Sequence, residues 1–194
     1  MGSWEQLIEN FDKRLDHEEI DDFLVHLNES VSRRIKALED ESSSLSSENF
    51  EDPRDVDAYR SHLDELIGAS YSAKVLGDEL SIIALYKKVE IHTGNVIKRK
   101  IPSASSKNLA YFNQLKAVVP YIENVDGYLA YTELRLINNS IKHGGKVSAE
   151  LANNFSFWKE NDEISGLEDA FKRLLPEVKQ YVKKLVERIY ADKP

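Results

Sequence analysis

From Val56 to Ile97 the chain sets apolar residues at helical spacing with almost no punctuation: Val56, Tyr59, Leu63, Leu66, Ile67, Tyr71, Val75, Leu80, Ile83, Val89 and Ile97. Recurrence every three or four residues marks one helix face turned to a core, whereas a half-buried strand alternates every second residue. Gly68 and Gly77 interrupt the pattern at most locally, because one glycine costs a helix only about 1 kcal/mol. One or two long helices fill this stretch, and a chain so committed to helix has few fold classes open to it.

The flanks carry the same period. Trp4, Leu7, Ile8, Phe11 and Leu15 form a first stripe. A new helix is expected to start at Asp16, with Glu19 completing a capping-box pattern, and to carry Ile20, Phe23, Leu24, Leu27, Val31, Ile35 and Leu38. Asp40 to Asp55 turns Ser-rich and acidic, with Pro53 near its end, and reads as an exposed loop. Ser103 to Lys107 reads as a connector, followed by a short helix through Leu109, Phe112, Leu115 and Val119 that should stop at Pro120. Ser165 and Glu168 predict the cap of a last helix through Leu167, Phe171, Leu174, Leu175, Val178, Val182, Leu185 and Ile189, kinked at Pro176. No Gly-rich phosphate loop, nucleophile elbow, helix-borne zinc motif or internal repeat is present. The expected architecture is all-α, an up-and-down helical bundle.

A length of 194 residues with 41% hydrophobic content can bury a core without crosslinks, and no second domain is required. The absence of cysteine excludes disulfides and Cys-ligated metal sites and is compatible with a reducing compartment. The N-terminus has no basic segment followed by an apolar run, and no stretch has the length of apolar residues that spans a bilayer, so a cytoplasmic chain is expected. Met1-Gly2-Ser3 is left out of the functional argument. The net charge of −8 argues against broad nonspecific duplex binding but leaves room for a small RNA site. His17, His26 and His62 read as solvated, His92 is less easily dismissed, and the five histidines suggest no metal-ligand cluster.

One segment suggests chemistry. In Glu133-Leu134-Arg135-Leu136-Ile137-Asn138-Asn139-Ser140-Ile141-Lys142-His143-Gly144-Gly145, residues Leu134, Ile137 and Ile141 share a face with Ala130. Arg135, Asn138, Asn139, Lys142 and His143 are expected on the other face, which holds no carboxylate. Such a patch of donors suits a phosphate or another anion. The plain alternative is a helix end in which Lys142 and His143 complement the dipole and Gly144 forms the C-cap.

This segment resembles the signature helix of the HEPN superfamily, all-α domains in which Arg, a polar residue, a short spacer and His lie along one helix. Asn139 matches the polar position and His143 the His, while Asn138 stands where the family has Arg. Arg135 lies one turn earlier, on the same face as Asn139 and His143. An amide at Asn138 can hydrogen-bond a phosphoryl oxygen but does not neutralise its charge. The stretch Ile82 to His92 resembles, weakly, the aromatic-and-Glu helix that accompanies the signature helix in that family; there Glu90 reads as surface or core-polar, or as orienting the signature helix. The resemblance covers about Val56 to Ile189, so that residues 1–55 form added N-terminal helices and a loop, and residues 56–194 the HEPN-like bundle.

The resemblance implies a homodimer with facing signature helices, an RNA substrate, an antitoxin or other protein partner, and no cofactor or metal. It places the chain in a prokaryotic toxin–antitoxin or phage-defence setting. As an endoribonuclease it would use His143 as acid or base in attack of a ribose 2′-hydroxyl on the adjacent phosphate, with Asn138 and Asn139 positioning that phosphate. Arg135 or Lys142 would stabilise the developing charge, and Lys146, Lys98 and Arg99 would extend the substrate-binding surface. The competing expectation is a non-catalytic dimeric interaction module that binds a protein partner or a nucleotide. Phe155, Phe157 and Trp158 read as a core plug, with a dimer contact or base-stacking platform as the alternatives.

Overall fold

The computed structural model describes residues 4–191, so Met1, Gly2 and Ser3 lie outside it. Among these residues are seven α-helices: α1 (Trp4–Asp12), α2 (Glu18–Ser44), α3 (Asp55–Lys100), α4 (Phe112–Val118), α5 (Tyr128–Lys142), α6 (Ala149–Asn154) and α7 (Leu167–Ala191). Extended pairing among them is limited to one antiparallel bridge, Lys146 with Glu163. The chain is an all-α helical bundle, as the 3.6-residue period demands. No helix of the described residues is long and apolar enough to cross a membrane. Among the described residues, 4–17 and 82–191 form one compact unit and Glu18–Ser81 a second, and α3 contributes residues to both.

The second unit contains α2 and the first part of α3. Ile20, Val31 and Leu63 are buried there, while Phe23, Val25, Tyr71, Val75 and Leu76 stay exposed. A Cβ at Gly77 would fall 1.9 Å from Leu27 Cδ2, so the missing side chain is what admits Leu27 against α3. The expected Asp40–Asp55 loop is shorter than its composition suggests, because α2 continues to Ser44. Ser43 Oγ donates to the Glu39 carbonyl at 2.8 Å and Ser44 Oγ to that of Glu41 at 2.8 Å, bonds that satisfy helical serines within the helix itself. A capping box, Ser46 with Asn49, then opens a short 3-10 turn at Ser47–Asn49.

In the first unit α5 and α7 run antiparallel, since Gly127 at the start of α5 meets Glu177 and Tyr181 while Glu133, further along, meets Arg173. Gly127 adopts φ +84°, and a Cβ there would lie 2.7 Å from the Glu177 carbonyl oxygen; both constraints require glycine. Rings from three helices stack across the core. Tyr86 of α3 lies 6.3 Å from Tyr131 of α5, which in turn lies 4.7 Å from Tyr181 of α7 at an interplanar angle of 9°. Leu134, Ile137, Leu174, Val178, Val182 and Leu185 fill the space around them. Burial first, and the neighbouring tyrosines next, push the Tyr131 and Tyr181 phenols well above their ordinary range.

Polar contacts hold α1 in this unit. The Asp12 carboxylate accepts hydrogen bonds from Arg99 and, at 2.6 Å, from the Tyr190 hydroxyl. His92 Nε2 donates to the Asp12 carbonyl at 2.6 Å, which gives that histidine a structural place. His17 is not simply solvated, because Lys179 Nζ donates to its Nε2 at 2.8 Å. At the other end of the sequence α7 begins one residue later than a Ser165 cap requires. Gly166, at φ +67°, offers its carbonyl to Ala170, while Glu168 pairs with Lys172 at 2.6 Å. The helix continues through Pro176.

Candidate functional site

The C-terminal half of α5 is built by a wide buried arc. Counting about 100° per residue, the buried residues Ala130, Tyr131, Glu133, Leu134, Leu136, Ile137, Asn138 and Ser140 span roughly 220° of the helix. The remaining arc carries Arg135, Asn139, Lys142 and His143, four of the five residues expected on the polar face. Asn138 is the exception. It is 1% exposed, because it sits only about 40° from Leu134 and the packed arc closes over it. Its Nδ2 reaches Asn139 Oδ1 at a long 3.4 Å, and its own Oδ1 is buried with no hydrogen-bond partner.

The helix end is shaped by Gly144 and Gly145, at φ +119° and +70°. His143 occupies the C-cap, one residue before the position read from sequence, and the Gly145 N–H bonds back to the Ser140 carbonyl at 3.0 Å. The chain then pairs along residues 161–164. Val147 N–H donates to the Asp162 carbonyl at 2.9 Å and Ile164 N–H to the Gly145 carbonyl at 2.8 Å. Lys142, His143 and Lys146 are left exposed around this turn. The His143 ring makes no hydrogen bond to the described residues. Lys142 Nζ lies 5.9 Å from the Tyr86 ring centroid, a distant cation–π contact.

Arg135 is not free to meet an anion. Its Nη2 bonds Glu150 Oε1 of α6 at 3.0 Å, and its guanidinium lies 5.3 Å from the Phe112 ring centroid. The face expected to lack carboxylates therefore has one brought to it by the next helix. Lys98 and Arg99 are not gathered here either. Arg99 is bound to Asp12 near Tyr190, whereas α5 meets α7 near Arg173, about 25 Å earlier along the α7 axis. Glu90 pairs with Lys87 on its own helix at 2.8 Å.

Beneath the exposed arc lies a buried polar network that sequence reading missed. Glu133, 5% exposed, receives both terminal nitrogens of Arg173, at 2.9 and 2.7 Å, and the Trp158 indole N–H at 2.8 Å. The Glu133 carboxylate holds the Arg173 guanidinium above its usual pKa. Trp158 is thus the plug of the aromatic island, while Phe157 stays 78% exposed. One signal did exist: a buried indole needs an acceptor, and Glu133 borders the apolar arc of α5. Among the described residues no three His, Asp or Glu side chains are placed to hold a metal ion.

Family models, curated proteins and solved structures give no match to this chain. The site is therefore read from its own chemistry. It offers an exposed imidazole, one half-buried amide and two lysines at a helix end, with the nearest guanidinium already neutralised.

Proposed function

We propose that the chain is a HEPN-like helical module of a prokaryotic toxin or defence system that acts by binding a protein partner or nucleotide, not by cutting RNA. One observation carries this reading: among the described residues of α5, the one guanidinium on the face of His143, that of Arg135, is already ion-paired. Where the family's Arg is expected, Asn138 is buried, and Arg135 one turn earlier is spent on Glu150. Phosphoryl chemistry at a ribose needs its developing charge stabilised, and an amide or an ion-paired arginine contributes little of that.

A second reading, metal-independent endoribonuclease, is favoured by the exposed His143 ring, which no described residue engages. Two copies with facing α5 ends would bring two such rings together as acid and base, with Asn139, Lys142 and Lys146 around the phosphate. Incubating the chain with RNA in chelator separates the two. Binding predicts no cleavage by the native chain, by His143→Ala or by Glu150→Gln, which releases Arg135. Cleavage that His143→Ala abolishes would overturn the module in favour of the enzyme.

A further inference from the structure

A cleft of about 540 Å³ lies in the first unit between α7 and the segment that follows α1, lined by Asn10, Lys13, Arg14, Leu15, Lys179, Gln180, Lys183 and Lys184. Five of these side chains are cationic and none is acidic, in a chain whose net charge is −8. The adjoining groove along the same helix mixes Asp126 and Glu187 with Lys184 and Arg188, so the single sign of charge belongs to this cleft in particular. It is also separate from the α5 end, since Lys179 stands about 18 Å along α7 from Leu167, where that helix begins near the paired 161–164 segment.

Several of these cations are partly compensated from outside the lining, chiefly by Glu187, whose carboxylate Lys184, Lys13 and Lys183 together hold below its usual range. Lys13 pairs with Glu9 at 2.6 Å and lies 4.0 Å from Glu187, and Lys184 bonds Glu187 at 3.0 Å. Lys179 donates to His17, and Lys183 sits one turn from Glu187 and acts on the same carboxylate. Lys179 and Lys183 are one turn apart on α7, a like-charge pairing that costs helix stability unless an anion lies between them. A single phosphate would neutralise only part of such a set. A chain of adjacent phosphoryl groups fits both its charge and the volume of the cleft. No aromatic ring lines the cleft, so nothing there would stack on a base.

We propose that this cleft binds a linear polyphosphate group, either free or as the phosphate tail of a nucleoside triphosphate, recognised through Lys179, Lys183 and Lys13. The inference rests on α1 and α7 and stands whether or not the α5 reading holds.

Calorimetric titration of the full chain with tripolyphosphate, and separately with ATP, tests it. The expected result is one site per chain, weakened by added salt and by at least about tenfold in Lys179→Gln/Lys183→Gln. Lys172→Gln, which removes one charge from an exposed part of the same helix, should change it less than about twofold. Circular dichroism confirms that the variants are folded. Equal affinities for the two ligands identify the phosphate chain itself as the determinant, whereas ATP binding without tripolyphosphate binding overturns the proposal. So does no binding, an equal loss in Lys172→Gln, or binding of an RNA oligomer while tripolyphosphate is ignored.

Discussion

Helices α5 and α2 are both amphipathic by pattern, yet α5 buries eight of its 15 residues and α2 two of its 27. The difference lies in what surrounds them. Tyr86 of α3, Trp158 and the α7 residues Arg173 and Tyr181 all close on α5, whereas in its own unit α2 has only the first part of α3 for company. An apolar stripe states how much surface a helix would like to bury, and the number of neighbours decides how much it does. Polar residues on a crowded helix consequently become parts of the packing before they become parts of a site.

Four measurements test that contrast. The largest effect is expected from Glu133→Ala, which leaves Arg173 and the Trp158 indole without their shared acceptor. It should cost about 2–4 kcal/mol in a denaturant titration, mostly from the stranded buried indole, since the exposed Arg173 head can be rehydrated; a loss below about 1 kcal/mol would mean that the network is solvated and α5 less crowded than described. Gly127→Ala should cost about 2–4 kcal/mol, combining a left-handed backbone with a contact against the Glu177 carbonyl.

Tyr190→Phe should cost about 1 kcal/mol near neutral pH through its lost bond to Asp12. Burial first, and that bond next, push the Tyr190 phenol up to about 12 from its ordinary 10.0. A raised folded-state value favours the protonated form, so this stabilisation is complete below pH 10 and disappears as pH rises toward 12. Melting curves across that interval should fall more steeply for the native chain than for Tyr190→Phe. Last, Val25→Ala on the open side of α2 should stay within about 0.5 kcal/mol of the native chain, and a larger loss would reveal a contact that covers the face.

The periodicity of Leu134, Ile137 and Ile141 was enough to place α5, because three apolar positions fix a helix phase. It did not give the width of the buried arc, which depends on neighbours distant in sequence, and so Asn138 was assigned to the wrong side. Glu150 was invisible for the same reason: only the turn at Gly144 and Gly145 and the pairing with residues 161–164 bring α6 back to Arg135. Composition misled at Asp40 to Ser44, where serine suggests loop until its hydroxyl is seen to bond a carbonyl of its own helix. Lys98 and Arg99 were grouped with His143 by charge alone, and the antiparallel course of α5 against α7 separates them.

The Asp12 contacts also set an order of events as the chain folds. Tyr190 and Asp12 are 178 positions apart, so α1 has no complete seat until α7 has been made. The α2–α3 pair, drawn from Glu18–Ser81, needs only short-range closure and can form within microseconds, well before that. Although it precedes α2 in the sequence, α1 is therefore among the last of these helices to dock.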